Sequence, residues 1–205
     1  MTDRAKELEA AAKEIDPASL QAAKAAIDIN CREYIRWADL FSRRLETIKP
    51  EEMHKFARAL SLTLLGHLPT RPATCPFCIQ YGLDKSCKGC GYAATHGRCD
   101  ADDSAFSLFI EAFQELGRLI YQDTTASQSA CLSVKTKGLL FALLQASQEM
   151  ARKMQKDLPS LSTLQLMRQK QIYIDRMILQ LPLCLFSEDV QKQCFILQHS
   201  LERYW

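Results

Sequence analysis

Glycine and proline are scarce in this chain, with seven of each among 205 residues. Because both residue types interrupt helices, long stretches of the sequence contain nothing that would break one. No run of β-branched residues alternates with polar ones, so the sequence gives no sign of a β-sheet. The helix-forming residues Ala, Leu, Gln, Lys and Glu are abundant. The composition therefore predicts an all-α protein.

Long apolar runs and a strong excess of charge are also missing. No segment approaches the roughly 20 apolar residues that a membrane-spanning helix needs. The N-terminal residues are charged and have no apolar stretch behind them, so we expect neither a leader peptide nor an anchor. The formal net charge of +2 does not by itself call for a polyanionic partner. These features predict a cytoplasmic protein that has no contact with a membrane.

Recognisable catalytic motifs are absent as well. The sequence has no phosphate-binding glycine-rich loop, no nucleophile elbow and no HExxH pattern. Only four histidines are available as general bases. A single ExxH step at Glu51–His54 lacks the second copy that a di-iron site needs, and we expect His54 on the exposed side of its helix. The sequence thus leaves enzymatic activity uncertain and leans against it.

The sequence does contain a series of amphipathic segments. Asp16 is a predicted N-cap and Pro17 suits the first helical turn. Apolar side chains then recur mainly at steps of three and four, which predicts a long helix ending near Ile48. Similar patterns, separated by proline, glycine and capping serine, predict about six or seven helices in one bundle. The N-terminal helices would occupy residues 1–68, and the C-terminal helices would complete the same bundle in residues 104–205.

Between these two parts, residues 69–103 lose the helical period and collect prolines and glycines. Five of the nine cysteines lie in the 25 residues from Cys75 to Cys99. A secreted disulfide framework would distribute its cysteines over the whole fold, whereas clustered CxxC pairs in a reducing compartment are typical of metal sites. We therefore predict an inserted Cys-rich, metal-binding loop between the second and third main helices.

The predicted metal ligands are the cysteines of two CxxC pairs, Cys75, Cys78, Cys87 and Cys90. Each pair forms a tight turn that directs two sulfurs at one point, and backbone N–H groups in such a turn can donate to a thiolate. Pro76 preorganises the first turn, and Gly89 and Gly91 permit positive φ in the second. Two such turns facing each other form a tetrahedral cage with sulfurs about 2.3 Å from a zinc ion.

The spacing of these cysteines leaves alternatives to zinc. Four cysteines also bind a [4Fe-4S] cluster, and spacing separates the two metals poorly. Disulfides or free thiols are a third interpretation, which the inferred compartment disfavours. His96 and Cys99 are candidate extra ligands; His96 could instead hydrogen-bond a thiolate, and simple packing is the favoured interpretation of Cys99. The remaining cysteines receive no chemical role: Cys31, Cys131, Cys184 and Cys194.

An ordered loop without visible catalytic groups is typical of a recognition element. We therefore expect a metal-binding helical interaction or accessory protein whose Cys-rich loop contacts a protein partner. The predicted contact side chains are Phe77, Ile79, Tyr81 and Tyr92. The alternative is an iron–sulfur redox, electron-transfer or sensor protein, and a zinc-dependent nucleic-acid-binding regulator comes third. Basic and aromatic loop residues suit nucleic acid, but neighbouring aspartates oppose it, so this partner is not favoured.

Overall fold

The computed structural model describes residues 3–82, 87–124 and 134–204, and within these ranges the chain contains helices and no strand. The α-helices of the described residues are α1 (Asp3–Lys13), α2 (Pro17–Thr47), α3 (Met53–Gly66), α4 (Pro76–Tyr81), α5 (Gly91–His96), α6 (Ala105–Gln122), α7 (Val134–Asp157), α8 (Thr163–Ile178) and α9 (Glu188–Tyr204). The predicted all-α class is confirmed. More helices are present than predicted, because the Cys-rich segment contains the two short helices α4 and α5.

The long helix α2 begins and ends close to where its sequence predicts. Asp16 caps the helix, since its Oδ1 accepts the N–H of Ala18 at 3.3 Å, and Pro17 occupies the first helical position. One side of α2 is buried along most of its length, through Ile27, Cys31, Tyr34, Ala38 and Leu45. The predicted apolar periodicity of this helix therefore identifies the side that faces the core.

Helix α2 packs mainly against α7, and polar side chains hydrogen-bond across this contact. The hydroxyl of Tyr34 donates to Ser147 Oγ at 2.6 Å. The amide of Gln148 donates to Asp39 Oδ1, also at 2.6 Å. Because a buried polar group is costly when it lacks a partner, these bonds fix the register between the two helices.

A second contact joins α6 to α9, and α3 packs against α6. At the end of α6, Asp123 Oδ1 lies 3.2 Å from His54 Nε2, while its Oδ2 accepts the N–H of Ser187 at 2.8 Å. His54 is buried, so the expectation that it lies on the exposed side is wrong. Charged neighbours in the sequence suggested a solvated helix start, whereas the partner that allows burial lies 69 residues further along the chain.

The predicted inserted loop is not confirmed, because the Cys-rich segment is built into the bundle. Helix α4 and the 3₁₀ turn Pro72–Thr74 pack against α2, and α5 packs against α1. Gln80 of α4 makes two further bonds to the connection between α1 and α2. Its Oε1 accepts the N–H of Asp16 at 2.7 Å, and its Nε2 donates to Glu14 O at 3.1 Å. The segment is therefore anchored to the N-terminal helices.

Candidate metal centre

The first CxxC pair lies where a 3₁₀ turn is followed by α4. Pro76 occupies the first position of α4, which its fixed φ suits. The N–H of Ile79 donates to Cys75 O at 3.0 Å and closes the first helical turn. The N–H of Cys78 donates to the sulfur of Cys75, and the two thiols hydrogen-bond to each other. One helical turn thus brings both sulfurs of this pair into contact.

The second CxxC pair is held by a turn with left-handed backbone. Cys87 has a φ of 50° and Gly89 a φ of 81°. The N–H of Cys90 donates to Cys87 O at 3.0 Å and closes the turn. Positive φ costs a non-glycine residue about 1–2 kcal/mol and is enriched at functional sites. The positive φ predicted for Gly89 is confirmed, and Cys87 shares it.

A glycine is required at position 91 because of close packing, and not because of the positive φ that the sequence predicts. It is the first residue of α5, and it does not have a positive φ. A Cβ atom at Gly91 would lie 2.1 Å from the Cβ of Ala11 in α1. Glycine is therefore needed here because two helices approach each other closely. The expectation of positive φ at Gly91 is wrong, since the sequence did not indicate that α1 packs at this point.

The five thiols of the segment interact in pairs. Cys78 hydrogen-bonds to Cys75 and to Cys99, and Cys90 interacts electrostatically with Cys75 and Cys87. Cys75 and Cys90 are buried, and the other three are partly buried. Among the described residues, no group of three or more Cys, His, Asp or Glu side chains has the geometry of a metal site. The four-sulfur ligand set therefore stays a prediction, and the Cys78–Cys99 contact adds a fifth thiol to the cluster.

Protein surroundings raise the pKa of three of these thiols. For Cys75 the hydrogen bond with Cys78 raises the pKa most, followed by burial. For Cys78 the bond with Cys75 lowers the pKa, but the bond with Cys99 and burial together raise it to about 12. Burial raises the pKa of Cys90, although backbone N–H groups at the start of α5 act in the opposite direction. Thiolates in this environment need a nearby positive charge.

Lys170 of α8 brings a positive charge to this cluster. Its side chain is only 3% exposed, and its Nζ lies 3.5 Å from Thr74 O. The ammonium lowers the pKa of both Cys75 and Cys78. No carboxylate in the described ranges forms an ion pair with it. Because a buried ammonium without an anion costs several kcal/mol, this position suits a centre with excess negative charge.

The sequence alone did not identify Lys170 as a site residue, although its position in the apolar pattern of α8 is unusual. The residue interrupts the buried side of α8 between Met167 and Ile174, which are both in the core. A lysine at such a position is rarely buried unless an anion or a polar group accompanies it. The sequence could therefore have identified Lys170 as unusual. It could not have shown that its neighbours are cysteines from a segment about 90 residues earlier in the chain.

His96 is engaged by its neighbours in α5. Its ring stacks on the ring of Tyr92, with centroids 4.2 Å apart and planes inclined by 2°. Its Nδ1 lies 2.7 Å from Thr95 Oγ1. Neither contact involves a sulfur, so a role for His96 as an extra ligand or thiolate partner stays a prediction.

The four predicted partner contacts differ in their exposure. Phe77 and Tyr92 are each 2% exposed, with ring centroids 5.9 Å apart, and they form part of the core. Their burial argues against a direct contact with a partner. Ile79 and Tyr81 are partly exposed and pack against the same core. The ring of Tyr81 also covers the second CxxC turn, since its edge lies 3.7 Å from the position that a Cβ of Gly89 would occupy.

The cysteines outside the cluster were predicted to have no chemical role. Cys31 and Cys194 are buried, and Cys184 is exposed. Burial raises the pKa of Cys31 to about 12 and that of Cys194 to about 11. Both buried thiols are therefore uncharged core side chains at neutral pH. Cys131 lies outside the described residues.

No known protein family, curated protein or solved structure matches this chain. In the described part of the chain, none of the helices has both the length and the apolar character needed to cross a membrane. A function must therefore be argued from the side chains of this protein alone.

Proposed function

We propose that this chain is a metal-binding helical interaction protein whose Cys-rich segment is ordered by a structural zinc ion. The proposed ligands are Cys75, Cys78, Cys87 and Cys90. This donor set suits zinc, because sulfur ligands in two short turns are typical of closed tetrahedral sites. His96 and Cys99 lie outside the primary set in this proposal.

The buried Lys170 ammonium is the observation that carries the proposal. A divalent cation bound by four thiolates keeps an excess of negative charge, and Lys170 acts on two of the proposed ligands. Neutral thiols or disulfides would provide no anion, and the ammonium would then keep only the long 3.5 Å contact with Thr74 O as compensation for its burial. The N–H groups that donate to the sulfurs of Cys75 and Cys90 favour thiolates in the same way.

The role of the ion would be structural. Helices α4 and α5 have six residues each, and helices of this length are not stable by their own hydrogen bonds. Zinc that joins the two CxxC turns would hold α4 and α5 together against α1, α2 and α8. The free energy of metal binding then becomes folding free energy of this segment.

The interaction role uses the surface that this segment presents. Phe77 and Tyr92 support the segment from inside, while Ile79 and Tyr81 keep part of their surface accessible. A metal ion that fixes α4 would hold Ile79 and Tyr81 in one arrangement. Such preorganisation lowers the cost of binding a protein partner.

Metal analysis of protein purified without oxygen tests the metal assignment. We expect about one zinc ion per chain, as in closed structural sites. Cobalt substitution should give the visible absorption of a tetrahedral sulfur site. A brown protein that contains iron and acid-labile sulfide would show that the site holds an iron–sulfur cluster and not zinc. Protein free of any metal would contradict both assignments.

Substitution of Lys170 tests the observation on which the proposal depends. Lys170→Met keeps the length of the side chain and removes its charge, so we expect zinc affinity to fall by about tenfold or more. The affinity is measured by competition with a chromogenic chelator. Lys24→Met is the matched control, because Lys24 is also buried and also donates to a backbone carbonyl, Pro159 O at 3.1 Å, but only Lys170 acts on Cys75 and Cys78. Equal zinc affinity in the two variants would mean that Lys170 has no electrostatic role at the site.

A further inference from the structure

The side of α2 that faces away from the core carries large apolar side chains. Ile29 and Trp37 are each 47% exposed, and Leu40 is 45% exposed. Successive residues of a helix are rotated by about 100°, so Ile29 and Leu40 lie opposite the buried Ile27 and Tyr34, whereas Trp37 lies at the edge of this side. Side chains that recur at steps of three and four residues along one side of a helix can form a seam for pairing with another helix.

Two charged residues lie within this stripe and are available to a partner. The side chain of Glu33 is 61% exposed, and its contact with His67 Nε2 is 3.9 Å, which is too long for a hydrogen bond. Arg36 is exposed and forms no ion pair with any residue in the described ranges. Both charges therefore face solvent between apolar neighbours.

The order of these side chains is self-complementary. Ile29, Glu33, Arg36 and Leu40 follow one another at steps of four, three and four residues, which is the spacing of a helix-pairing seam. Read in one direction the seam is apolar, acidic, basic and apolar. Read in the other direction, acid and base exchange places. Both the apolar pair and the charged pair are centred on the peptide between Tyr34 and Ile35.

We propose that this face of α2 is the interface of a symmetric homodimer in which two copies of α2 pack antiparallel. The two-fold axis passes beside the Tyr34–Ile35 peptide. Each Ile29 then packs against Leu40 of the second copy, and each Glu33 pairs with Arg36 of the second copy. Such an interface is isologous, since the same patch is used by both chains.

The neighbouring positions of α2 agree with this arrangement. The next layers place Ala26 opposite Arg43 of the second copy and Ala22 opposite Thr47 of the second copy, so no layer brings like charges together. A purely acidic partner helix would satisfy Arg36 but repel Glu33. A purely basic partner helix would do the reverse. A second copy of the chain is the occupant that matches both charges.

Charge reversal in the full-length chain tests the dimer by sedimentation equilibrium. The unmodified chain should sediment as a dimer. Glu33→Arg and Arg36→Glu each place like charges opposite one another, so each should raise the dimer dissociation constant by at least about tenfold. The double variant Glu33→Arg/Arg36→Glu should dimerise again. A mixture of the two single variants should form heterodimers, because every pair between the chains then joins opposite charges.

Controls separate this interface from folding and from the metal site. Glu33 and Arg36 are exposed, so circular dichroism should show unchanged helix content in both single variants. Glu149→Arg on the exposed side of α7 should leave the dimer intact. Dimerisation should also survive addition of a chelator, because no proposed metal ligand lies on α2. A chain that stays monomeric at all concentrations, or single variants that dimerise normally, would overturn the proposal.

Discussion

The α2–α7 contact and the Cys-rich segment are held in place by different physical means. Helices α2 and α7 have 31 and 24 residues, bury continuous apolar sides and satisfy their polar groups across the contact. Helices α4 and α5 have six residues each and depend on anchors from α1, α2 and α8. Long helices can thus stabilise each other, whereas short helices need contacts with other parts of the protein. We propose that a metal ion provides one of these contacts for α4 and α5.

Removal of the metal should cause the largest difference in amide-exchange protection between the two regions. At a free zinc concentration about a thousand times the dissociation constant, binding stabilises the folded segment by about 4 kcal/mol. We expect a chelator to abolish most amide-exchange protection in α4 and α5 and to leave α2 and α7 protected. Hydrogen exchange with mass spectrometry measures both regions in one experiment.

Two single cysteine substitutions provide the controls for chelation. Cys75→Ser should reproduce the loss of protection without a chelator, since it removes a proposed ligand. Cys184→Ser should have no effect, because this cysteine is exposed and is not a proposed ligand. Unchanged protection in α4 and α5 after metal removal would show that the bundle alone orders the segment.

Gly91→Ala tests how closely the Cys-rich segment must approach α1. The new Cβ would lie 2.1 Å from the Cβ of Ala11, so α5 must shift, at a cost of about 2 kcal/mol in the free energy of unfolding. Urea denaturation measures this change. Gly117→Ala in α6 is the control: its Cβ meets nothing within 4 Å, so a gain of up to about 1 kcal/mol is expected.

A second substitution distinguishes crowding from other effects at Gly91. Ala11→Gly removes the atom that the new Cβ meets, so adding it to Gly91→Ala should recover part of the lost stability. No recovery would mean that the close approach to α1 does not limit the size of residue 91.

Tyr34→Phe weakens the α2–α7 contact in a region where no metal is proposed. The variant loses the bond from the buried hydroxyl to Ser147 Oγ, while Ser147 can still donate to Leu143 O. We expect a loss of about 1 kcal/mol in the free energy of unfolding and no change in zinc affinity. A large fall in zinc affinity would show that the two regions are coupled more tightly than their separate contacts indicate.

Gln80→Ala should have the smallest effect, because its bonds are exposed to solvent. The variant loses the two bonds from α4 to the connection between α1 and α2, at a cost of about 0.5 kcal/mol. Exchange of the Asp16 amide should accelerate. Gln114→Ala on the exposed side of α6 is the control and should leave that amide unchanged. Equal exchange rates of the Asp16 amide in both variants would show that Gln80 does not anchor α4 to this connection.

Local signals predicted the long helices because their start residues act within one turn. Asp16 caps α2, and Ser104 Oγ accepts the N–H of Ser107 at the start of α6. Helices α4 and α5 were missed because six residues are too few to show a helical period. The burial of His54 was missed as well, since its partner Asp123 lies 69 residues further along the chain, at the end of α6.

The sequence by itself determined the all-α class, the main helices and the positions of the two CxxC turns. Tertiary structure alone decided that Phe77 and Tyr92 are buried, that Cys99 contacts Cys78 and that Lys170 lies beside the thiols. The physical reason is the range of the forces involved. Helix periodicity and capping depend on neighbours within one or two turns, whereas burial and charge compensation depend on segments that meet only after the chain has folded.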